Sequence, residues 1–171
     1  MTSPPMRFET LIERYHDEIY RYLWRLLRDS PHEPQDITQE TFTRAYQAYG
    51  RLRADSNYRA WLYKIATNCA YSVLRQRRYE TALDMVENLS AAGDLLPDEQ
   101  AALNETLAAA GKIIGELPFK QRAAVVMRHL EGFDYTEIAL ALDCSEDSAR
   151  ANVSQAIRRL RRELMQERGE A

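Results

Sequence analysis

The chain has 171 residues, of which 45% are hydrophobic, and its formal net charge is -3 at pH 7. This hydrophobic fraction can bury a core in one medium domain or two small ones, which excludes disorder throughout. Only six glycines and six prolines interrupt a sequence rich in good helix formers, so the composition predicts an all-α fold. The cysteines, Cys69 and Cys144, lie far apart without metal-ligand spacing, which argues against a disulfide scaffold and a zinc site.

The sequence lacks the motifs of membrane insertion, of export and of the common classes of enzyme. No apolar run approaches the roughly 20 residues of a membrane span, and the first residues do not resemble a signal peptide. We therefore expect a cytoplasmic protein without direct membrane insertion. Glycine-rich phosphate loops, nucleophile turns and zinc-binding helix motifs are also missing from the sequence. We accordingly expect no enzyme, no catalytic residue, no cofactor, no metal and no small-molecule substrate.

The first 80 residues predict three helices. Apolar residues from Phe8 to Leu26 recur at spacings of three and four, which indicates an amphipathic helix. A second helix is predicted from about Glu33 to the break at Gly50, with an acidic first turn. A third helix carries an apolar stripe from Tyr58 and continues to about Arg78. Three helices with short connections predict a bundle.

An acidic segment without any lysine or arginine follows, from Glu80 to Glu105. It also contains a glycine and a proline, and we interpret it as a linker between two small helical domains. An acidic helix and loop within one domain is the alternative, because some apolar residues in it retain helical spacing. The predicted division is a first domain at 1–80, an acidic linker at 81–103 and a second domain at 104–171.

The second half of the chain carries closely spaced signals for helix ends. Pro118 introduces a helix, and Gly132 suits the left-handed residue that closes it. Asp134 and Glu137 have the spacing of a capping box for a short helix, and Ser145 can cap the final one. A short helix, a tight turn and a longer helix predict a helix-turn-helix, whose second helix can enter the major groove of DNA.

The outward face of the final helix is rich in side chains that can pair with base edges. No acidic residue occurs between Arg150 and Arg162, which favours contact with DNA. An ordinary solvated helix, whose arginines only complement its dipole, is the alternative. The outward residues are Arg150, Asn152, Ser154, Gln155, Arg158, Arg159 and Arg162.

A second basic region runs from the loop before the third helix to the end of that helix, and Asp55 is its only acidic residue. Positive charge neutralises phosphates and aromatic rings stack on unpaired bases, so this mixture indicates binding of single-stranded or distorted nucleic acid. Trp61 also lies on the apolar stripe, which favours a core position for it. The region consists of Arg51, Arg53, Arg59, Lys64, Arg75, Arg77 and Arg78, interleaved with Tyr58, Trp61, Tyr63, Tyr71 and Tyr79.

Most of the chain resembles one family, the extracytoplasmic-function sigma factors. The segments DITQETFTRAY at 36–46 and YRAWLYKIATN at 58–68 resemble their region two, and residues 117–161, with YTEIA at 135–139, resemble their region four. The resemblance implies a protein that directs core RNA polymerase to specific promoters and initiates transcription. The implied partners are promoter DNA, the beta-prime clamp and beta flap of core polymerase, and an anti-sigma factor.

The resemblance also implies roles for individual residues of region two. The second helix matches the family's clamp-binding segment, which points to Asp36, Gln39, Glu40, Phe42, Arg44 and Tyr46. Phe42 has an alternative role in the core. The loop before the third helix and its first turns match the part that melts and reads the minus-ten element. This implies Leu52, Arg53, Asn57, Tyr58 and Asn68, to which the basic region adds Trp61, Lys64 and Arg75.

Within this set, Asn68 is the strongest single candidate for contact with a flipped-out base, because an amide forms two directional hydrogen bonds. Its alternative is a bond to a neighbouring loop. In region four the resemblance implies that the minus-thirty-five element is bound as duplex by Arg150, Asn152, Ser154, Gln155 and Arg158. Asn152 departs from the family, which usually has arginine there, so its base preference cannot be transferred from relatives.

A second hypothesis is a helix-turn-helix regulator that binds an operator alone as a symmetric dimer. It explains the C-terminal half equally well. It leaves the basic and aromatic region around Trp61 without a role, however, and the sigma-factor hypothesis accounts for that region.

Overall fold

The structure is a computed structural model that describes residues 6–28, 32–83 and 99–169. Within these ranges the regular structure is entirely helical, which confirms the all-α prediction. The helices are α1 (Phe8–Leu26), α2 (Pro34–Tyr49), α3 (Tyr58–Leu83), α4 (Glu99–Glu116), α5 (Phe119–His129), α6 (Tyr135–Leu142) and α7 (Glu146–Gly169).

Helices α1, α2 and α3 form the predicted bundle. Leu11, Leu23 and Leu62 are fully buried in it, as the three-and-four spacing of apolar residues requires. Tyr22 is also fully buried, and its hydroxyl oxygen lies 2.8 Å from Oγ1 of Thr67, which in turn donates to the Tyr63 carbonyl at 2.6 Å. The buried hydroxyls of Tyr22 and Thr67 are therefore paired, which fixes the register between the two helices.

The flanks of the predicted acidic linker are helical. Helix α3 continues past Arg78 to Leu83, and α4 begins at Glu99. The reason is propensity, since neither 79–83 nor 99–103 contains a glycine or proline. The middle of the predicted linker, 84–98, lies outside the described residues.

Helices α4 to α7 form the second domain, and its turns have the predicted caps. Gly132 has a φ of 72°, and the carboxylate of Asp134 accepts from the Glu137 amide at 2.8 Å while the Glu137 carboxylate accepts from the Asp134 amide at 3.1 Å. The Ser145 hydroxyl accepts from the Ser148 amide at 3.1 Å. The left-handed Asp143, with a φ of 52°, turns the chain from α6 into α7. Together these turns build the helix-turn-helix.

The two domains pack against each other, with α6 on α3 and α5 on α1. Three aromatic rings run through the contact. The Tyr63 ring lies 4.5 Å, centre to centre, from both Tyr22 and Phe133, and all three side chains are fully buried. The hydrophobic core is therefore continuous from α1 to the loop between α5 and α6. None of the described helices is long and apolar enough to cross a membrane.

Candidate nucleic-acid interface

One face of α7 holds the helix against its domain and the other faces solvent. Ala149, Val153 and Ala156 recur at spacings of four and three and are at most 4% exposed. Their small side chains allow α5 and α6 to pack closely against α7. The opposite face is exposed at four of the five residues predicted to contact the minus-thirty-five element: Arg150, Ser154, Gln155 and Arg158.

Arg150 is held in place by a ring that sequence reasoning missed. Its guanidinium carbon lies 4.4 Å from the centre of the Tyr135 ring, and its Nη2 lies 3.6 Å from the Glu146 carboxylate one turn earlier. Arg128 approaches the same ring at 4.9 Å, anchored by its hydrogen bond to the Phe133 carbonyl at 2.8 Å. Tyr135 thus orients the first basic side chain of the exposed face.

The two amide side chains of this face are already hydrogen-bonded. The Gln121 side chain in α5 donates to the Gln155 amide oxygen at 2.7 Å. Asn152 is half-buried and donates to the Ser148 carbonyl at 3.0 Å, four residues earlier in α7. Gln155 keeps both of its own N–H groups for a ligand, whereas Asn152 uses one of its two N–H groups within the helix and keeps the other and its amide oxygen.

Seven of the eight residues predicted to contact the minus-ten element divide into an exposed group and a half-buried group. Asn68 and Arg75 are exposed along α3, and Arg53 is exposed in the preceding loop with its guanidinium 3.3 Å from Asp55. The half-buried residues are Leu52, Tyr58, Trp61 and Lys64.

Asn57 precedes the first residue of α3, and its side chain forms two hydrogen bonds within the protein. Its side-chain oxygen accepts from the Ala60 amide at 3.0 Å, as an N-cap does. The side-chain amide donates to Glu137 of α6 at 3.2 Å. Asn57 therefore caps α3 and contacts the second domain at the same time.

The segment predicted to bind polymerase lies along α2. Its exposed members are Asp36, Gln39, Glu40, Arg44 and Tyr46. Phe42 is different, because it is 7% exposed and stacks on His16 of α1 with ring centres 5.9 Å apart. The structure thus supports the core alternative for Phe42, which shares the inner face of α2 with the fully buried Thr38 and Thr41.

Neither cysteine is activated by its surroundings. Burial raises the pKa of the Cys69 thiol, and burial likewise raises the pKa of the Cys144 thiol. Both thiols are therefore more protonated at neutral pH than an ordinary cysteine, and thiolate is the nucleophilic form. In the described part of the chain, no cluster of three His, Cys, Asp or Glu residues could hold a metal ion.

A three-helix bundle with a basic, aromatic third helix, joined to a helix-turn-helix domain, defines a class of two-domain DNA-binding proteins. Residues 11–80 match the family model for sigma-70 region 2, and residues 107–160 match the model for sigma-70 region 4. The chain belongs to the extracytoplasmic-function sigma factors of the sigma-70 family. It is an RNA polymerase sigma factor that acts in transcription initiation.

Curated relatives and solved structures agree with this assignment. The RNA polymerase sigma-H factor of Pseudomonas aeruginosa is 34% identical over 158 residues, covering 87% of this chain and 81% of the relative. The ECF RNA polymerase sigma-E factor of Escherichia coli K12 is 31% identical over 158 residues, covering 87% and 82%.

Two solved structures share the fold. The sigma factor RpoE of Bartonella quintana, in complex with the anti-sigma factor NepR, has a TM-score of 0.71 at 23% identity and covers 92% of this chain and 96% of its own. CnrH, in complex with the cytosolic domain of CnrY, has a TM-score of 0.64 at 22% identity and covers 90% and 84%.

Proposed function

We propose that the two exposed polar surfaces bind the two elements of a promoter. The solvent face of α7 binds duplex DNA at the minus-thirty-five element through Arg150, Ser154, Gln155 and Arg158. The loop before α3 and the exposed face of α3 bind the melted minus-ten element, with Asn68 and Arg75 on that face. The protein catalyses no reaction itself, and it works in the cytoplasm, where core polymerase is found.

The single observation that carries this proposal is the division of α7 into a buried small-residue face and an exposed basic face. Ala149, Val153 and Ala156 are buried, and Arg150 and Arg158 are exposed on the opposite side. A recognition helix needs both properties, because its inner face must fix its angle while its outer face enters the groove. A helix that is buried on all sides has no exposed face with which to contact DNA.

We further propose that α2 binds the clamp of core polymerase. Its exposed residues include both acidic and basic side chains, and the 2.6 Å pair between Arg44 and Glu40 orders part of this surface. Tyr46 adds an exposed ring that leans edge-on against Phe8 at 5.1 Å. Rigid aromatic and arginine side chains are the usual anchors of protein interfaces. The beta flap is the proposed partner of the second domain.

Replacing Asn68 by alanine is expected to lower promoter-specific run-off transcription about 10-fold, the effect of losing one paired amide contact to a base. The amide of Asn68 is exposed, and only its backbone carbonyl is used within the helix, where it accepts from the Ser72 hydroxyl at 2.9 Å. The substitution should therefore leave the fold unchanged. The assay combines core polymerase, the full-length chain and a promoter library.

Ser72→Ala is the matched control, since it removes the partner of the same carbonyl and no base-directed amide. Its transcript level should equal that of the wild type. Equal transcription by Asn68→Ala and wild type would remove Asn68 from the minus-ten site. A wild-type chain that initiates nowhere, but alone shifts a palindromic duplex, would instead support the operator-binding regulator.

We also propose that an anti-sigma factor binds this chain, because the structurally similar RpoE of Bartonella quintana is solved in complex with the anti-sigma factor NepR. The tagged chain is purified by affinity from a native lysate. The fraction that contains no core polymerase should contain a small protein bound to the chain in stoichiometric amount, which is the expected anti-sigma factor. Binding of that protein should abolish run-off transcription in the purified system. Recovery of polymerase subunits alone, from cells in which the target promoters are silent, would contradict the proposal.

A further inference from the structure

A hydrogen bond between two glutamines ties the exposed face of α7 to the first turn of α5. The side-chain nitrogen of Gln121 donates to Oε1 of Gln155 at 2.7 Å. Gln155 is exposed, and Gln121 is half-buried. An amide carries its acceptor and its donors on different atoms, so a bond that holds the oxygen also directs the N–H groups. The oxygen of Gln155 is therefore turned toward α5, and its two N–H groups remain available on the exposed face.

The first turn of α5 is itself held in place, so Gln121 has a fixed position. The guanidinium of Arg122, the next residue, donates to the Leu117 carbonyl at 3.3 Å and also to the Gly115 carbonyl. Ala124, in the same turn, is fully buried. The turn cannot rotate to carry Gln121 away from α7 without breaking these contacts.

Helix α7 is held on the same side one turn after Gln155. Arg159 was predicted to face outward, but it is half-buried and its guanidinium donates to the Glu116 carbonyl at 3.1 Å. The same group donates to the Glu163 carboxylate at 2.6 Å. Because Arg159 follows Gln155 by four residues, these bonds fix the rotation of α7 about its axis near Gln155.

The polarity of an amide determines which base it pairs with in the major groove. A glutamine with both groups available pairs with adenine, because it donates to N7 and accepts from the N6 amino group. Guanine presents two acceptors there, N7 and O6, whereas cytosine presents only its N4 donor. An amide that offers N–H groups alone therefore matches guanine best and cytosine worst.

Asn152, on the same helix, has the other polarity. One of its N–H groups is used by the Ser148 carbonyl at 3.0 Å, so a donor and the amide oxygen both remain. Asn152 thus keeps the combination that adenine requires, and Gln155 does not. The residue types alone predict the same base for both amides, and the contact with Gln121 distinguishes them.

We propose that Gln121 is a positioning residue that sets the base preference of Gln155, so that Gln155 binds guanine and not adenine. Gln121 lies in α5, outside the helix-turn-helix, and it acts through Gln155 without contacting a base. The inference rests on the proposed binding of the minus-thirty-five element by α7, and it names the base class that one residue of that face takes.

The test measures base preference by selecting bound promoters from a library randomised in the minus-thirty-five element, with core polymerase and the full-length chain. Gln155→Ala identifies the position that Gln155 contacts, because the preference there should be lost. At that position the wild type should select guanine over adenine by about 5-fold and cytosine least of all.

Gln121→Glu reverses the polarity of the pair. A carboxylate only accepts, so Gln155 must turn an N–H group toward it and its oxygen toward the DNA. The ratio of guanine to adenine should then fall about 5- to 10-fold. Gln121→Lys, which only donates, keeps the oxygen of Gln155 turned toward α5 and should retain the guanine preference.

Lys120→Gln controls for charge. Lys120 is exposed beside Gln121, and its replacement changes the net charge by the same amount and in the same direction as Gln121→Glu. Total binding should weaken, because a cation near the phosphates is lost, but the ratio of guanine to adenine should stay that of the wild type.

Two results would overturn the inference: a wild type that selects adenine at the position of Gln155, or equal ratios for wild type, Gln121→Glu and Gln121→Lys. Failure of the proposed function gives a different pattern, in which neither Gln155→Ala nor Arg150→Ala changes the preference at any position. If Arg150→Ala changes a preference and Gln155→Ala does not, the role of Gln121 is overturned while binding of the element by α7 stands.

Discussion

Phe133→Ala is expected to lower the free energy of unfolding by about 3–5 kcal/mol, the usual cost of removing a buried phenyl ring. The ring is fully buried between the domains, 4.5 Å from the Tyr63 ring and beneath the Arg59 guanidinium. Its removal leaves a cavity that the paired polar groups around it cannot close. Urea denaturation followed by circular dichroism measures the change.

Leu130→Ala is the matched control for this prediction. Leu130 stands in the same loop but is 55% exposed, so its replacement should change the free energy of unfolding by less than about 0.5 kcal/mol. A Phe133→Ala variant as stable as Leu130→Ala would show that the ring is not buried between the domains in solution.

Arg150→Ala is expected to weaken recognition of the minus-thirty-five element by about 10- to 100-fold and to relax the preference at one base position. Arg150 is exposed at the start of α7, and stacking on Tyr135 orients it before DNA is bound. An oriented arginine loses less conformational entropy on binding than a free one. Selection of bound promoters from a randomised library, with core polymerase present, measures both effects.

The contribution of Tyr135 is tested by two substitutions of the same residue. Tyr135→Phe keeps the ring and should retain the base preference, whereas Tyr135→Leu should weaken it about 2- to 5-fold, the value of an exposed cation–π contact. Arg14→Ala on α1 removes one exposed cation far from α7 and should leave the preference unchanged. Equal preferences for Tyr135→Leu and Tyr135→Phe would show that stacking does not position Arg150.

Much of the local structure follows from the sequence, because the relevant interactions are short in range. The helices appear where apolar residues recur at three and four, and Gly132, Asp134 and Ser145 make the turns that their residue types favour. The sequence predicts that α3 ends at about Arg78, but the helix continues to Leu83, because helix propensity persists beyond the change in charge composition.

The candidate site was predicted less completely than the helices. Periodicity placed Arg150, Ser154, Gln155 and Arg158 on an outward face, and that face is exposed. It could not show that Gln121 binds Gln155, because those residues are 34 positions apart. The sequence allows Phe42 either to bind polymerase or to lie in the core. Its burial and its packing against His16 support the core position.

The family, the helical elements with most of their caps, and the polar character of the two surfaces can therefore be predicted from the residues alone. The tertiary structure alone decided how the domains meet. Glu131 lies 106 residues from Arg25 and 68 from Tyr63. Contacts between residues so far apart leave no periodic pattern in the sequence, because they depend on how the two domains pack. Packing also determines which partner each buried charge has.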